Sequence, residues 1–215
     1  MDWMEDPGSE IWCFPRGLQR QGHAGPKSLT WTSRHGSVAV SFYDVATACG
    51  MNEKGLVANL LYLAESDYGK PVADRPALSI GGWAQYVLDS YATVAEAVAE
   101  LRTEPFTIVA PILPNGEPAV GHLAISDPSG DSAIFEYLAG RLVIHHGRDF
   151  TVMTNSPPFD DQLALNAYWK EIGGDVMLPG TILASDRFVR ASYYCGAIPK
   201  DLTGIRAIAS VLSVI

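Results

Sequence analysis

Positive charge is in short supply. Fifteen Lys and Arg stand against 24 Asp and Glu, a formal net charge of -9 over 215 residues. Nucleic acid and anionic membrane surfaces are bound by clustered Lys and Arg, and no local basic run reverses the balance, so neither partner is expected. Long apolar runs are missing as well: no stretch reaches the about 18 residues that span a bilayer. Cysteine is scarce. Cys13, Cys49 and Cys195 lie far apart, with no C-x-x-C pair and no metal-ligand spacing, and all three read as small buried residues.

Familiar catalytic motifs are also lacking. There is no G-x-x-x-x-G-K-S/T, no G-x-G-x-x-G and no H-E-x-x-H, which removes the support for P-loop, dinucleotide and common zinc-protease chemistry. No G-x-S-x-G elbow presents a serine nucleophile. The one close histidine pair is His145-His146. Neighbours on a strand point to opposite faces, so the two do not share a metal. No metal or cofactor is expected.

What is present is a core. Apolar residues make up 47% of the chain and charged residues 18%, which excludes a disordered chain. The length suits a single domain over residues 1–215. Both ends read as abrupt. Residues 202–215 suggest a largely apolar helix without a cap, and the start has Trp3 between Met1 and Met4 with no lead-in. Truncation at both ends is the expectation.

Between the ends the patterns are mixed. Strands are expected over 10–16, over 37–42, where Val38, Val40 and Phe42 alternate with small or polar partners, and over the apolar run 55–63. A helix is expected over 82–91. A second follows the capping box Thr93-Val94-Ala95-Glu96, with Val94, Ala97, Val98 and Leu101 on one face and Pro105 as its stop. Strands over 122–126, 132–138 and 141–145, joined by Asp127-Pro128-Ser129-Gly130-Asp131 and Ala139-Gly140, make an antiparallel meander. Residues 151–154 suggest a fourth strand, and helices follow over 160–172 and 184–194. This order implies an α+β fold, either two stacked antiparallel sheets covered by helices or one sheet with helices.

Four segments stand out by composition: Met1-Asp2-Trp3, Gly50-Met51-Asn52-Glu53-Lys54-Gly55-Leu56, Met153-Thr154-Asn155-Ser156-Pro157 and Ser185-Asp186-Arg187-Phe188-Val189-Arg190. With Phe14-Pro15-Arg16, Phe159-Asp160 and Leu178-Pro179-Gly180 in this order, the chain resembles the choloylglycine hydrolase family, which includes bile-salt hydrolases and penicillin V acylases. The run Leu60-Leu61-Tyr62-Leu63-Ala64-Glu65-Ser66 is similar to the branch found in Gram-negative bacteria. The resemblance covers essentially the whole chain. It implies an N-terminal-nucleophile fold, an αββα sandwich of two antiparallel sheets between helical layers, here incomplete. It also implies hydrolysis of linear amides such as penicillin V, acyl-homoserine lactones or conjugated bile acids, with an acyl-amide small molecule as the partner. A homo-tetramer is implied, and a bacterial periplasmic or cytoplasmic address stays open.

In the resembling family the nucleophile is a cysteine at the start of the mature chain, whose own α-amine is the base. By position, Asp2 matches the acid that holds that amine. Tyr62 matches the oxyanion-hole position, which is Asn in bile-salt hydrolases and often Tyr in penicillin acylases, with the backbone N–H as donor. Asn155 matches a side-chain donor to the oxyanion, and Arg187 a guanidinium near the thiol. Trp3 is a candidate wall of the acyl pocket. The departures are specific. The family's cysteine and the arginine three residues before the acid are missing, and Cys49 stands where the family usually has Asp. None of the three cysteines is expected to replace the nucleophile. The alternative to an acylase is an inactive relic or a binder of acyl ligands.

Overall fold

The computed structural model describes residues 6–113, 115–172 and 176–213. By internal contacts the chain divides into two compact units, Met1–Phe150 and Thr151–Ile215.

In the first unit the strands are β1 (Ile11–Phe14), β2 (Gln19–Gln21), β3 (Thr30–Thr32), β4 (Ser37–Phe42), β5 (Ala46–Asn52), β6 (Val57–Leu61), β7 (Ala77–Ser79), β8 (Thr107–Val109), β9 (His122–Ser126), β10 (Ser132–Leu138) and β11 (Arg141–His146). Two helices, α1 (Trp83–Ser90) and α2 (Val94–Leu101), lie between β7 and β8. Seven strands form one sheet in the order β1-β4-β5-β6-β9-β10-β11, antiparallel throughout. Two further pairs stand apart, β2-β3 antiparallel and β7-β8 parallel. The α+β class and the antiparallel meander of β9, β10 and β11 are as the sequence implies.

One face of the large sheet is covered by α1 and α2. Leu56, Ala58, Leu123, Ile125, Ala133, Phe135 and Tyr137 share a core cluster with Trp83, Val87, Leu88, Val94 and Leu101. On β4 the covered face carries Ser37, Ala39 and Ser41, whereas Val38 is 49% exposed. Small residues are what a close helix demands. A Cβ added to Gly50, on the neighbouring strand, would come within 2.8 Å of Leu88 Cδ1 and 2.7 Å of the Val38 carbonyl oxygen. The α2 cap follows the sequence signature: Thr93 Oγ1 accepts from the Glu96 N–H at 3.2 Å, and the Glu96 carboxylate accepts from the Ala92 N–H at 2.8 Å. Asp127, in the β9–β10 turn, adds an acceptor for the Val94 N–H at 2.9 Å.

The second unit holds α3 (Phe159–Ile172), α4 (Ala184–Ala197) and α5 (Gly204–Leu212). Phe159 and Phe188, both buried, meet edge to face at 5.8 Å and lock α3 to α4. α5 buries none of its residues.

Three expectations need correcting. Residues 151–154 form no strand; Thr154 is held through its side chain, with Oγ1 2.9 Å from the Ala184 carbonyl, rather than by a ladder. The apolar run 55–63 yields a strand only over Val57–Leu61, because Gly55, at φ 84°, still belongs to the turn. The cysteines are not buried: Cys13 is exposed on the edge strand β1, and Cys49 and Cys195 are partly exposed. Among the described residues no helix is long and apolar enough to cross a membrane.

Candidate active site

In the second unit the chain leaves the sheet, turns at the cis Ser156–Pro157 bond and enters α3. Gln162, fully buried on the first turns of α3, ties this loop down. Its Nε2 donates to the carbonyls of Asn155 and Pro157, both at 2.6 Å, and its Oε1 lies 3.0 Å from Thr154 Oγ1. The loop backbone is therefore fixed from the helix side. The Asn155 side chain is fixed from the other direction: Arg187 Nη2, on the first turn of α4, donates to Asn155 Oδ1 at 2.9 Å. A guanidinium only donates, so this bond defines Oδ1 as the acceptor end of the amide and Nδ2 as its donor end. Asn155 and Arg187 are 32 residues apart in sequence and are brought together here.

Around them α4 is anchored at its start. Thr181 donates from both N–H and hydroxyl to Asp186, at 3.2 and 2.6 Å, and Arg190 donates to the Pro179 and Thr181 carbonyls. Thus the Leu178-Pro179-Gly180 and Asp186-to-Arg190 motifs form one clasp, which sets where Arg187 stands. Gln162 was not singled out from the sequence. Its only signal there is a polar residue three places after Phe159, on the face that the helix buries.

Tyr62 belongs to the first unit. It follows β6 directly, is 42% exposed, and its N–H shares a peptide group with the Leu61 carbonyl. Leu61 pairs with His122 at the start of β9, so the sheet sets the height of that peptide. Asp2 and Trp3 lie outside the described residues.

The remaining motif, Gly50 to Leu56, is a folding device. Buried Asn52 donates from Nδ2 to the Leu88 and Tyr91 carbonyls at 2.9 and 2.8 Å, and its Oδ1 accepts from the Lys54 and Leu56 N–H groups at 3.0 and 3.1 Å. Glu53 pairs with Arg16 at 2.5 Å and accepts from the Gly36 N–H, and these bonds hold its carboxyl down to about 2.

All three cysteines are free thiols. Burial pushes the Cys49 thiol up, away from thiolate. Four of the five histidines face carboxylates: His122 Nδ1 is 2.8 Å from Glu136, His145 Nε2 is 3.9 Å from the same carboxylate, His146 Nε2 is 2.9 Å from Asp131 and His35 Nδ1 is 3.8 Å from Glu53. His145 and His146 thus reach different partners, as neighbours on a strand must. Among the described residues no group of three or more His, Cys, Asp or Glu is placed to hold a metal ion.

Comparison with known proteins adds the context for this geometry. The family model described as linear amide C–N hydrolases, choloylglycine hydrolase family, matches residues 1–215. Penicillin V acylase of Pectobacterium atrosepticum is 55% identical over 202 residues, which cover 90% of this chain and 54% of that protein. The chain thus spans about half the length of that curated relative. Among solved structures, penicillin V acylase from Agrobacterium tumefaciens is 60% identical with a TM-score of 0.92, over all of this chain and 65% of that one. A mutant conjugated bile acid hydrolase from Clostridium perfringens has a TM-score of 0.82 at 24% identity, covering all of this chain and 73% of the other, a likeness of fold alone. The fold is that of the N-terminal-nucleophile hydrolases.

Proposed function

We propose an acylase reaction on small linear amides for this chain, which belongs to the choloylglycine hydrolase family of linear amide C–N hydrolases. The substrates are secondary amides with an apolar acyl group, penicillin V or acyl-homoserine lactones before conjugated bile acids. The relatives named penicillin V acylases, at 55% and 60% identity, support that order, as does Tyr62 at the position that the resemblance assigns to the oxyanion hole. The observation that supports the reading is the Arg187–Asn155 hydrogen bond, which orients the amide of the residue that the resemblance assigns to the oxyanion.

The nucleophile is a cysteine other than Cys13, Cys49 and Cys195. All three lie inside strands or a helix, where their own nitrogens are peptide nitrogens and not bases. An N-terminal cysteine uses its free α-amine to take the thiol proton. The thiolate attacks the amide carbonyl, and the carbonyl oxygen becomes an oxyanion. Hydrogen-bond donors stabilise it, and by family position the candidates are the Tyr62 N–H and Asn155 Nδ2. The C–N bond breaks, the α-ammonium returns the proton to the leaving amine, and a thioester remains. Water, deprotonated by the same amine, then releases the acid. Asp2 holds the amine, the Arg187 charge favours the thiolate, and Trp3 lines the acyl pocket. Residues 1–215 alone, without such a cysteine, have no turnover.

The test is release of free amine from penicillin V by the full-length gene product. The account expects turnover proportional to enzyme and its loss in Asn155→Ala. Turnover by residues 1–215 alone, abolished by Asn155→Ala, would sink the claim about the nucleophile.

A further inference from the structure

We propose that Gly121 and Tyr68 are positioning residues for the oxyanion, acting through the Leu61–Tyr62 peptide; the inference rests on the acylase reading above. The chain at Gly121, just before β9, runs so close to the end of β6 that a Cβ there would sit 2.4 Å from the Leu61 carbonyl oxygen and 3.3 Å from its carbon. That is about 0.6 Å inside the closest approach a real Cβ makes, and the atom it meets is backbone. The Leu61 C=O and the Tyr62 N–H are the two ends of one planar group. Any side chain at position 121 therefore moves the N–H assigned to the oxyanion.

Tyr68 holds Gly121 in that place. The Tyr68 hydroxyl donates to the Gly121 carbonyl and accepts from the Gly121 N–H, both at 2.9 Å, and Ser66 Oγ donates to the same carbonyl at 2.9 Å. Both polar groups of one glycine are thus committed to the segment that follows Tyr62, and both lone pairs of its carbonyl are used. Burial pushes the Tyr68 hydroxyl up to about 12, so it stays protonated and keeps donating. Its ring leans on Tyr137 of β10, with centroids 5.6 Å apart. This arrangement costs no backbone strain at Gly121; what the glycine provides is the missing Cβ.

Oxyanion donors act over a narrow range, about 2.7–3.1 Å from the developing charge, and a misplacement near 1 Å costs on the order of 100-fold in rate. The test uses the full-length gene product, with kcat and KM on penicillin V, melting temperature, and the rate at which iodoacetamide alkylates the nucleophile, a reaction with no oxyanion. Gly121→Ala should lower kcat by about 30-fold or more, with KM and alkylation rate within about twofold of wild type. Tyr68→Phe adds no atom and removes two hydrogen bonds; it should lower kcat by about 5-fold with the same split, and it keeps the test decisive should Gly121→Ala not fold. An active wild type whose variants keep kcat within twofold, or lose kcat and alkylation together, overturns this inference alone. A wild type without turnover overturns the acylase reading and this inference with it.

Discussion

Two asparagines, Asn52 and Asn155, stand in the motifs that carry the family likeness, and the structure gives them partners of different kinds. Asn52 is 3% exposed and spends both amide protons and its oxygen on four backbone groups, tying the β5–β6 turn to the end of α1. Asn155 has its backbone oxygen held by Gln162 and its Oδ1 by Arg187, so that the amide points its donor end in one direction. Asn52, saturated by backbone, holds the fold; Asn155, oriented by a charged side chain, is the one proposed to act on substrate. The difference lies in the partners, not in the residue.

The sharpest way to break that comparison is to make the same substitution at both positions. Asn155→Ala should lower kcat on penicillin V by about 100- to 1,000-fold while changing stability by about 1 kcal/mol. Asn52→Ala should do the reverse. It leaves two N–H groups and two carbonyls without their partner and should cost about 3–5 kcal/mol in denaturant unfolding, with the folded fraction keeping its specific activity. Equal effects on rate at both positions would erase the distinction.

A smaller effect separates orientation from charge. Arg187→Lys keeps a cation but loses the planar fork that pins Asn155 Oδ1, and kcat should fall by about 10-fold. Unchanged kcat in that variant would mean that only the charge matters.

The smallest effect concerns the Asn52 turn. Glu53, held down to about 2 by Arg16 and the Gly36 N–H, binds a proton more weakly folded than unfolded. Its contribution to stability is therefore present above the ordinary carboxylate value of 4.5 and is lost as pH falls through about 2. The Arg16 side chain is 66% exposed, so the contribution is screened and should shrink further in high salt. Melting curves of Glu53→Gln should show a shallower loss of stability between pH 4.5 and about 2 than the wild type. An identical acid profile would remove Glu53 from the turn's support.

Much of the scaffold was legible where local chemistry decides it. The turns Asp127 to Asp131 and Ala139-Gly140 and the Thr93–Glu96 cap each specify their element within a few residues. The three-residue strands β2, β3, β7 and β8 carry too few residues to show a period, and their pairing is set by contacts distant in sequence. On β4 the alternation located the strand, but burial of its small face follows from the closeness of α1, which no local pattern records. Cysteine burial failed for the same reason: Cys13 is an ordinary apolar residue, but its strand is the sheet edge. The site itself was legible only through the family motifs. No periodicity links Asn155 to Arg187; Gln162 is marked only as a polar residue on the face that the helix buries, and nothing marks Gly121 before the chain is folded.

The most direct measurement is to trap the acyl-enzyme. The full-length gene product is incubated with penicillin V, quenched in acid and digested, and the peptide that carries the acyl group is identified by mass. The account predicts one thioester, on an N-terminal cysteine, with Cys13, Cys49 and Cys195 unmodified. An acyl group on any of those three would contradict it.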